Sequence, residues 1–175
     1  MDRTRPVAPN PYDYLPKAEA FTLTSDAFRD GDVIPAKYGL ENDDVSPQLS
    51  WSGFPAGTKS FAVTCFDPDA PTPSGYWHWT VLDIPPHITE LPEGAGSSDS
   101  TLPEGAFHVR SDYGTLRYGG MNPPVGDQKH HYYFVVHALD VDTLGLDAGA
   151  SPVEAAFTMG MHTIGRAILV GTFQR

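Results

Sequence analysis

The chain is poor in cysteine, in cations and in long apolar runs, and each shortage narrows what it can be. One cysteine, Cys65, in 175 residues excludes an intrachain disulfide framework and fits a reducing compartment. Only 11 lysines and arginines stand against 22 aspartates and glutamates, a formal net charge of −11. That balance argues against a general binder of nucleic acid or of acidic membranes. An anion could be held only locally, by aimed hydrogen bonds, against the field of the whole molecule. No stretch approaches the roughly 18 apolar residues of a membrane span. Met1 to Pro6 lead into no apolar signal core, so the expectation is a cytoplasmic chain with neither secretion leader nor membrane span. Also missing are the G-x-S-x-G elbow, the P-loop and the H-E-x-x-H zinc motif.

What is present is turn and core. Glycine and proline, 17 each, make up 34 of 175 residues or about 19%, against about 12% in average usage. With 20 aromatic residues (Phe 9, Tyr 8, Trp 3), this reads as many short strands around a packed interior, an all-β domain. Residues 1–18, with four prolines, read as an extended N-terminal arm, leaving 19–175 as the domain. Strands are expected at Phe21–Thr24, Ser60–Phe66 (stopped by Asp67-Pro68), Trp77–Ile84 and His131–Val141. The last of these is apolar on both faces, which suits a central strand. The long connection Pro85–Gly105 suggests a Greek-key crossover. One helix is well marked: Ser151 as N-cap, Pro152 at the first position and Glu154 three residues after the cap. Val153, Phe157, Met161, Ile164 and Ile168 then recur at helical spacing, and a last strand is expected around Gly171.

Three clusters place polar groups at strand ends. Asp67-Pro68-Asp69-Ala70-Pro71 could simply end a strand, its carboxylates accepting turn N–H groups; alternatively one carboxylate orients a histidine and favours its charged form. His78, between Trp77 and Trp79, is either a satisfied core histidine or a ligand-facing one. The Gly/Pro loop Tyr118–Asp127 brings bare backbone close to its neighbours, and His130 and Tyr132 share one side of a strand. Cys65 lacks a base and reads as inert. The remaining histidines, including His108, His131, His137 and His162, have no evident partner.

Taken in order, these motifs resemble the phosphatidylethanolamine-binding protein family, also called Raf kinase inhibitor-like proteins, and its bacterial branch most. The resemblance rests on Asp67-Pro-Asp-Ala-Pro71, on Trp77-His78-Trp79, and on Asn122-Pro123-Pro124-x-Gly126-Asp127 followed by His130-x-Tyr132. Ser46-Pro47-Gln48-Leu49 with Trp51 belongs to the same pattern, and the similarity runs from about Phe21 to the C-terminus. It implies a Greek-key antiparallel β-sandwich with one C-terminal α-helix. It also implies a small pocket that holds phosphate, phosphoryl head groups, acetate or cacodylate. Carried onto this chain, the ligand-binding residues are Asp67, Asp69, His78, Pro123, Pro124, His130 and Tyr132. Asn122 stands where many relatives have glycine, so its side chain would narrow the pocket mouth or add a donor. The family also implies a non-enzymatic role without cofactor, with a protein kinase or protease as a target and a homodimer as one oligomeric option. The rival is an Asp/His-based hydrolase, including a metal-dependent form through His78, His130 and an aspartate. Against it stands the nucleophile: Ser74 and Ser111 fall in loops without a triad context.

Overall fold

The computed structural model describes residues 5–175; the first four residues of the arm, and with them most of the opening segment, lie outside the described residues. Among the described residues nine strands are formed: β1 Glu19–Ala20, β2 Thr22–Thr24, β3 Leu49–Ser52, β4 Ser60–Asp67, β5 Tyr76–Ile84, β6 Glu90–Leu91, β7 Phe107–His108, β8 His130–Leu139 and β9 Thr163–Phe173. One helix, α1, covers Pro152–His162. The strands make a six-stranded sheet in the order β1-β9-β8-β4-β5-β7 and a three-stranded sheet in the order β2-β3-β6. All pairs within the sheets are antiparallel except β1 with β9, which is parallel.

β8 and β4 lie in the middle of the large sheet, and their sequence explains why. The inner face carries Phe61, Val63 and Cys65 of β4, Trp79 and Val81 of β5, and Tyr132, Phe134 and Val136 of β8. It packs on Leu23, Leu49, Trp51 and Leu91 from the small sheet. The outer face is apolar too, because Ala62, Leu82 and Leu139 there meet Ala155 and Met159 of α1 in a second, smaller core. Strands buried on both sides need no polar alternation. The connection after β5 crosses to the small sheet, supplies β6 beside β3, and returns as β7 on the free edge of β5.

The helix starts as its sequence dictates. The Glu154 N–H donates to Ser151 Oγ at 3.2 Å and the Ser151 N–H donates to Glu154 Oε2 at 3.4 Å, a reciprocal cap. It ends earlier than the spacing predicts, and on a different face. Ile164 and Ile168 belong to β9: ten residue pairs with β8, made by a run rich in β-branched side chains, outweigh helical periodicity. The Thr163 hydroxyl, donating to Met159 O at 2.7 Å, occupies a terminal carbonyl at that change. The helix buries Ala155 and Met159, while Val153, Phe157 and Met161 stay 68%, 72% and 62% exposed. The expected apolar stripe exists, but it faces away from the core.

Candidate functional site

Three strand ends meet at one edge of the large sheet. β4 finishes at Asp67, opposite Tyr76 at the start of β5; β8 begins at His130, beside the end of β4. A cavity of about 250 Å³ opens there, lined by Asp67, Ala70, Pro71, Thr72, Tyr76, His78, Tyr113, Asn122, Pro123, Pro124 and His130. Six of the eight residues expected from sequence therefore converge on it. The other two do not line it. Tyr132 is fully buried against His78, its ring edge-on at 5.2 Å between centroids, and its hydroxyl has no hydrogen-bond partner among the described residues. Asp69 points away: its Oδ1 accepts from the Ala8 N–H at 2.8 Å, and its Oδ2 from the His131 N–H at 2.9 Å and from His131 Nδ1 at 2.7 Å.

The two histidines are held by different chemistry. His130 Nδ1 donates to Asp67 Oδ2 at 2.7 Å, and Asp67 Oδ1 accepts from the Asp69 N–H at 2.8 Å. On the other side of the ring, Nε2 lies 3.3 Å from Asp127 Oδ2 and 3.3 Å from Arg5 Nη2. As imidazolium, His130 donates to Asp127; as neutral imidazole, it accepts from Arg5. Burial pushes its pKa down, but the hydrogen bonds and charges of Asp67 and Asp127 outweigh burial, and the net displacement is upward. Arg5 forms a two-pronged pair with Asp127 (2.7 and 2.8 Å) and also donates to Asp69 O at 2.7 Å. The hydrogen bonds from Arg5 to Asp127 hold its carboxyl far below the usual range.

His78 has no carboxylate partner. Its Nδ1 donates to Gly119 O at 2.8 Å and to Gly120 O at 3.2 Å, which leaves Nε2 as the ring's remaining polar atom and, in the neutral ring, an acceptor. The glycines are required for this approach. A Cβ at Gly119 would run into the Tyr113 ring, and one at Gly120 into the backbone of Tyr38 to Leu40. Around the imidazole, Tyr76, Tyr113 and Tyr132 stand edge-on at 5.3, 5.5 and 5.2 Å. Burial pushes the His78 pKa down, only partly offset by Asp67 and the two carbonyls. Asn122 is oriented by Arg175, which can only donate and so fixes Oδ1 as the acceptor; Arg175 in turn pairs with Glu41 at 2.7 Å. The Asn122 amide nitrogen is thereby left for the pocket.

Several partners escape the sequence reading. Four of the other five histidines do have them: His131 with Asp69, His108 with Asp99 at 2.7 Å, His162 with Asp140 at 3.0 Å and His137 with Thr163 at 3.2 Å. Asp67 orients His130 and not His78, settling which ring that carboxylate serves. Tyr76 could have been found, since it stands two residues before His78 on the same strand. Tyr113 and Arg5 carry no local signal at all. Among the described residues, no group of three or more His, Cys, Asp or Glu side chains is arranged to hold a metal ion. Ser74 is exposed, and Ser111 bonds with Thr115 at 3.2 Å. Burial raises the Cys65 thiol pKa well above its ordinary value.

Two packed β-sheets, a single late α-helix and a pocket at three strand ends that carries Asp67, His78 and His130 make up a β-sandwich fold. The chain belongs to the phosphatidylethanolamine-binding protein family, whose pattern matches residues 24–174. It is 43% identical over 156 residues to the UPF0098 protein YbhB of Escherichia coli K12, covering 86% of this chain and 98% of YbhB. A UPF0098 protein of Methanothermobacter thermautotrophicus is 41% identical over 154 residues, with 87% and 98% covered. The crystal structure of E. coli YbcL, described as a member of the mammalian PEBP family, superposes with a TM-score of 0.86 at 40% identity, covering 89% of this chain and 98% of YbcL. Proteins of this family are in general non-catalytic binders. No helix among the described residues is long and apolar enough to cross a membrane.

Proposed function

We propose that the cavity at the ends of β4, β5 and β8 binds a phosphoryl group, free or on a small head group, without catalysing a reaction. The observation that carries this reading is the His78 ring, 3% exposed, its Nδ1 tied to two carbonyls and its Nε2 left to the cavity. One proton shared between Nε2 and a phosphoryl oxygen completes the contact, whether it starts on the ring or on a monoprotonated phosphate. His130 adds positive character from behind, and Tyr76 with the Asn122 amide supplies further donors at the wall. Pro71, Pro123 and Pro124 keep the rim rigid, so little entropy is lost on binding.

Among the described residues the hydrolase alternative finds neither a placed nucleophile nor a set of metal ligands, so a binding role is the better reading. A kinase or protease target and a homodimer remain outside what the pocket requires. A cytoplasmic location is part of this reading, and the single unpaired cysteine, Cys65, is compatible with a reducing compartment.

Titration calorimetry with inorganic phosphate and with phosphoethanolamine tests the proposal. Both should bind, and affinity should rise as pH falls between about 8 and 5, around the imidazole range. His78→Ala should abolish binding while the fold persists. Flat affinity across that range, or phosphate still bound by a His78→Ala/His130→Ala double variant, overturns it.

A further inference from the structure

The outer face of the six-stranded sheet is only partly covered. Between the arm and α1 runs a groove of about 350 Å³ with Phe66 and Trp77 in its floor and Tyr12 and Phe157 among its walls. No carboxylate lines it, and Arg166 is its one cation. The volume is at the low end of small-molecule sites, about 300–1,000 Å³.

Four of the ten described lysines and arginines, Arg5, Lys37, Arg117 and Arg175, pair with carboxylates. Of the described cations without such a pair, all are exposed except Arg166, which is half-buried. Its Nε is buried without a hydrogen-bond partner, its Nη1 reaches Pro16 O only at 3.4 Å, and its guanidinium carbon lies 5.5 Å from the Tyr12 ring centroid. The nearby His137 adds no negative charge: Thr163 gives its proton to Met159 O, so His137 Nδ1 is the donor to Thr163, and burial together with Arg166 holds that ring neutral. A half-buried guanidinium without a carboxylate partner, lining an apolar trough, is complementary to a carboxylate on an apolar body. The body should be elongated, because the exposed stripe of Val153, Phe157 and Met161 carries the apolar surface along the helix beyond the groove.

We propose that this groove binds a free fatty carboxylate of medium chain length, the carboxylate on Arg166 and the chain over Phe66, Trp77 and Phe157. The site is separate from the phosphoryl pocket and does not depend on it. A second copy of the chain laid on the same stripe would leave the Arg166 guanidinium without a carboxylate unless it brought one of its own.

Trp77 lies in the groove, so its fluorescence reports occupancy. The full chain is titrated with decanoate, decanol and decyltrimethylammonium below their micelle concentrations. Decanoate should bind about tenfold or more tighter than decanol, and the cationic amphiphile should not bind. Arg166→Met should bring decanoate down to the level of decanol. Ala156→Trp, which fills the trough, should abolish both, and saturating phosphate should leave decanoate affinity unchanged. Equal affinities for decanoate and decanol in the unaltered chain, or binding of neither, overturn the proposal without any variant having to fold. So do displacement of decanoate by phosphate and a dimer, broken by Phe157→Glu, that excludes decanoate.

Discussion

The two histidines of the pocket stand at neighbouring strand ends and are both buried, yet their surroundings push them in opposite directions. His130 sits among Asp67, Asp127 and Arg5, all of them charged groups. His78 sits among three tyrosine rings and two backbone carbonyls. Burial disfavours the imidazolium in both; carboxylates overcome it at His130, and carbonyl dipoles do not at His78. One wall therefore holds a standing charge, and the other keeps an acceptor ready to share a proton with a ligand.

The largest effect should come from breaking the charged wall. Asp67→Ala leaves the His130 Nδ1–H and the Asp69 N–H without acceptors at a site where Asp67 and His130 are 2% and 1% exposed. Removing one partner of a buried pair costs about 3–5 kcal/mol, read as a lower urea midpoint. The neutral wall should break at its glycines. Gly120→Ala drives a Cβ into the Tyr38–Leu40 backbone, an overpacking cost of about 1–3 kcal/mol. It should also displace the carbonyls that aim His78, so phosphate binding falls even where folding survives. A Gly120→Ala chain that binds phosphate normally would show that those carbonyls do not position the ring.

The comparison is sharpened further by pH. In the unfolded chain both histidines titrate near about 6.5. His130, raised in the folded state, adds stability that is complete below that value and is lost as pH rises through its folded pKa. His78, lowered, does the reverse: its contribution is present above about 6.5 and is lost as pH falls through its folded pKa. In an NMR titration of the ring Cε1–H signals, His130 should therefore have its midpoint above the free imidazole value and His78 below it. Midpoints in the opposite order would remove the distinction between the walls.

What the sequence reveals of this follows from how far apart the interacting residues lie. β4, β5 and β8 announce themselves as apolar runs, and the Ser151–Glu154 cap is a pattern four residues long. Asp67, His78 and His130 stand out as polar groups at the ends of such runs. Hidden are contacts set by tertiary packing: Arg5 with Asp127, 122 residues away, and Asp69 with His131, 62 residues away. The end of α1 is hidden for the same reason, since Ile164 and Ile168 fit a helical period and only pairing with β8 makes them strand. Tyr132 shares its strand face with His130, as alternation requires, but alternation does not show that Tyr132 is fully buried and stays out of the cavity lining.

Arg5 offers the smallest and most specific test, because it belongs to the arm and touches the pocket only through the charged wall. Its side chain is 24% exposed, so the ion pair with Asp127 is partly screened, and Arg5→Ala should cost on the order of 1 kcal/mol of stability. The effect on His130 is more telling. A guanidinium 3.3 Å from Nε2 opposes a proton there and also occupies the Asp127 carboxylate that would stabilise the imidazolium. Taking it away removes a repulsion and frees an acceptor, so the His130 midpoint should rise in Arg5→Ala while the His78 midpoint stays where it was. If instead the His130 midpoint falls, Arg5 acts mainly by holding Asp127 against the ring, and the arm would be a brace for the charged wall, where a rise would make it a counterweight to the charge.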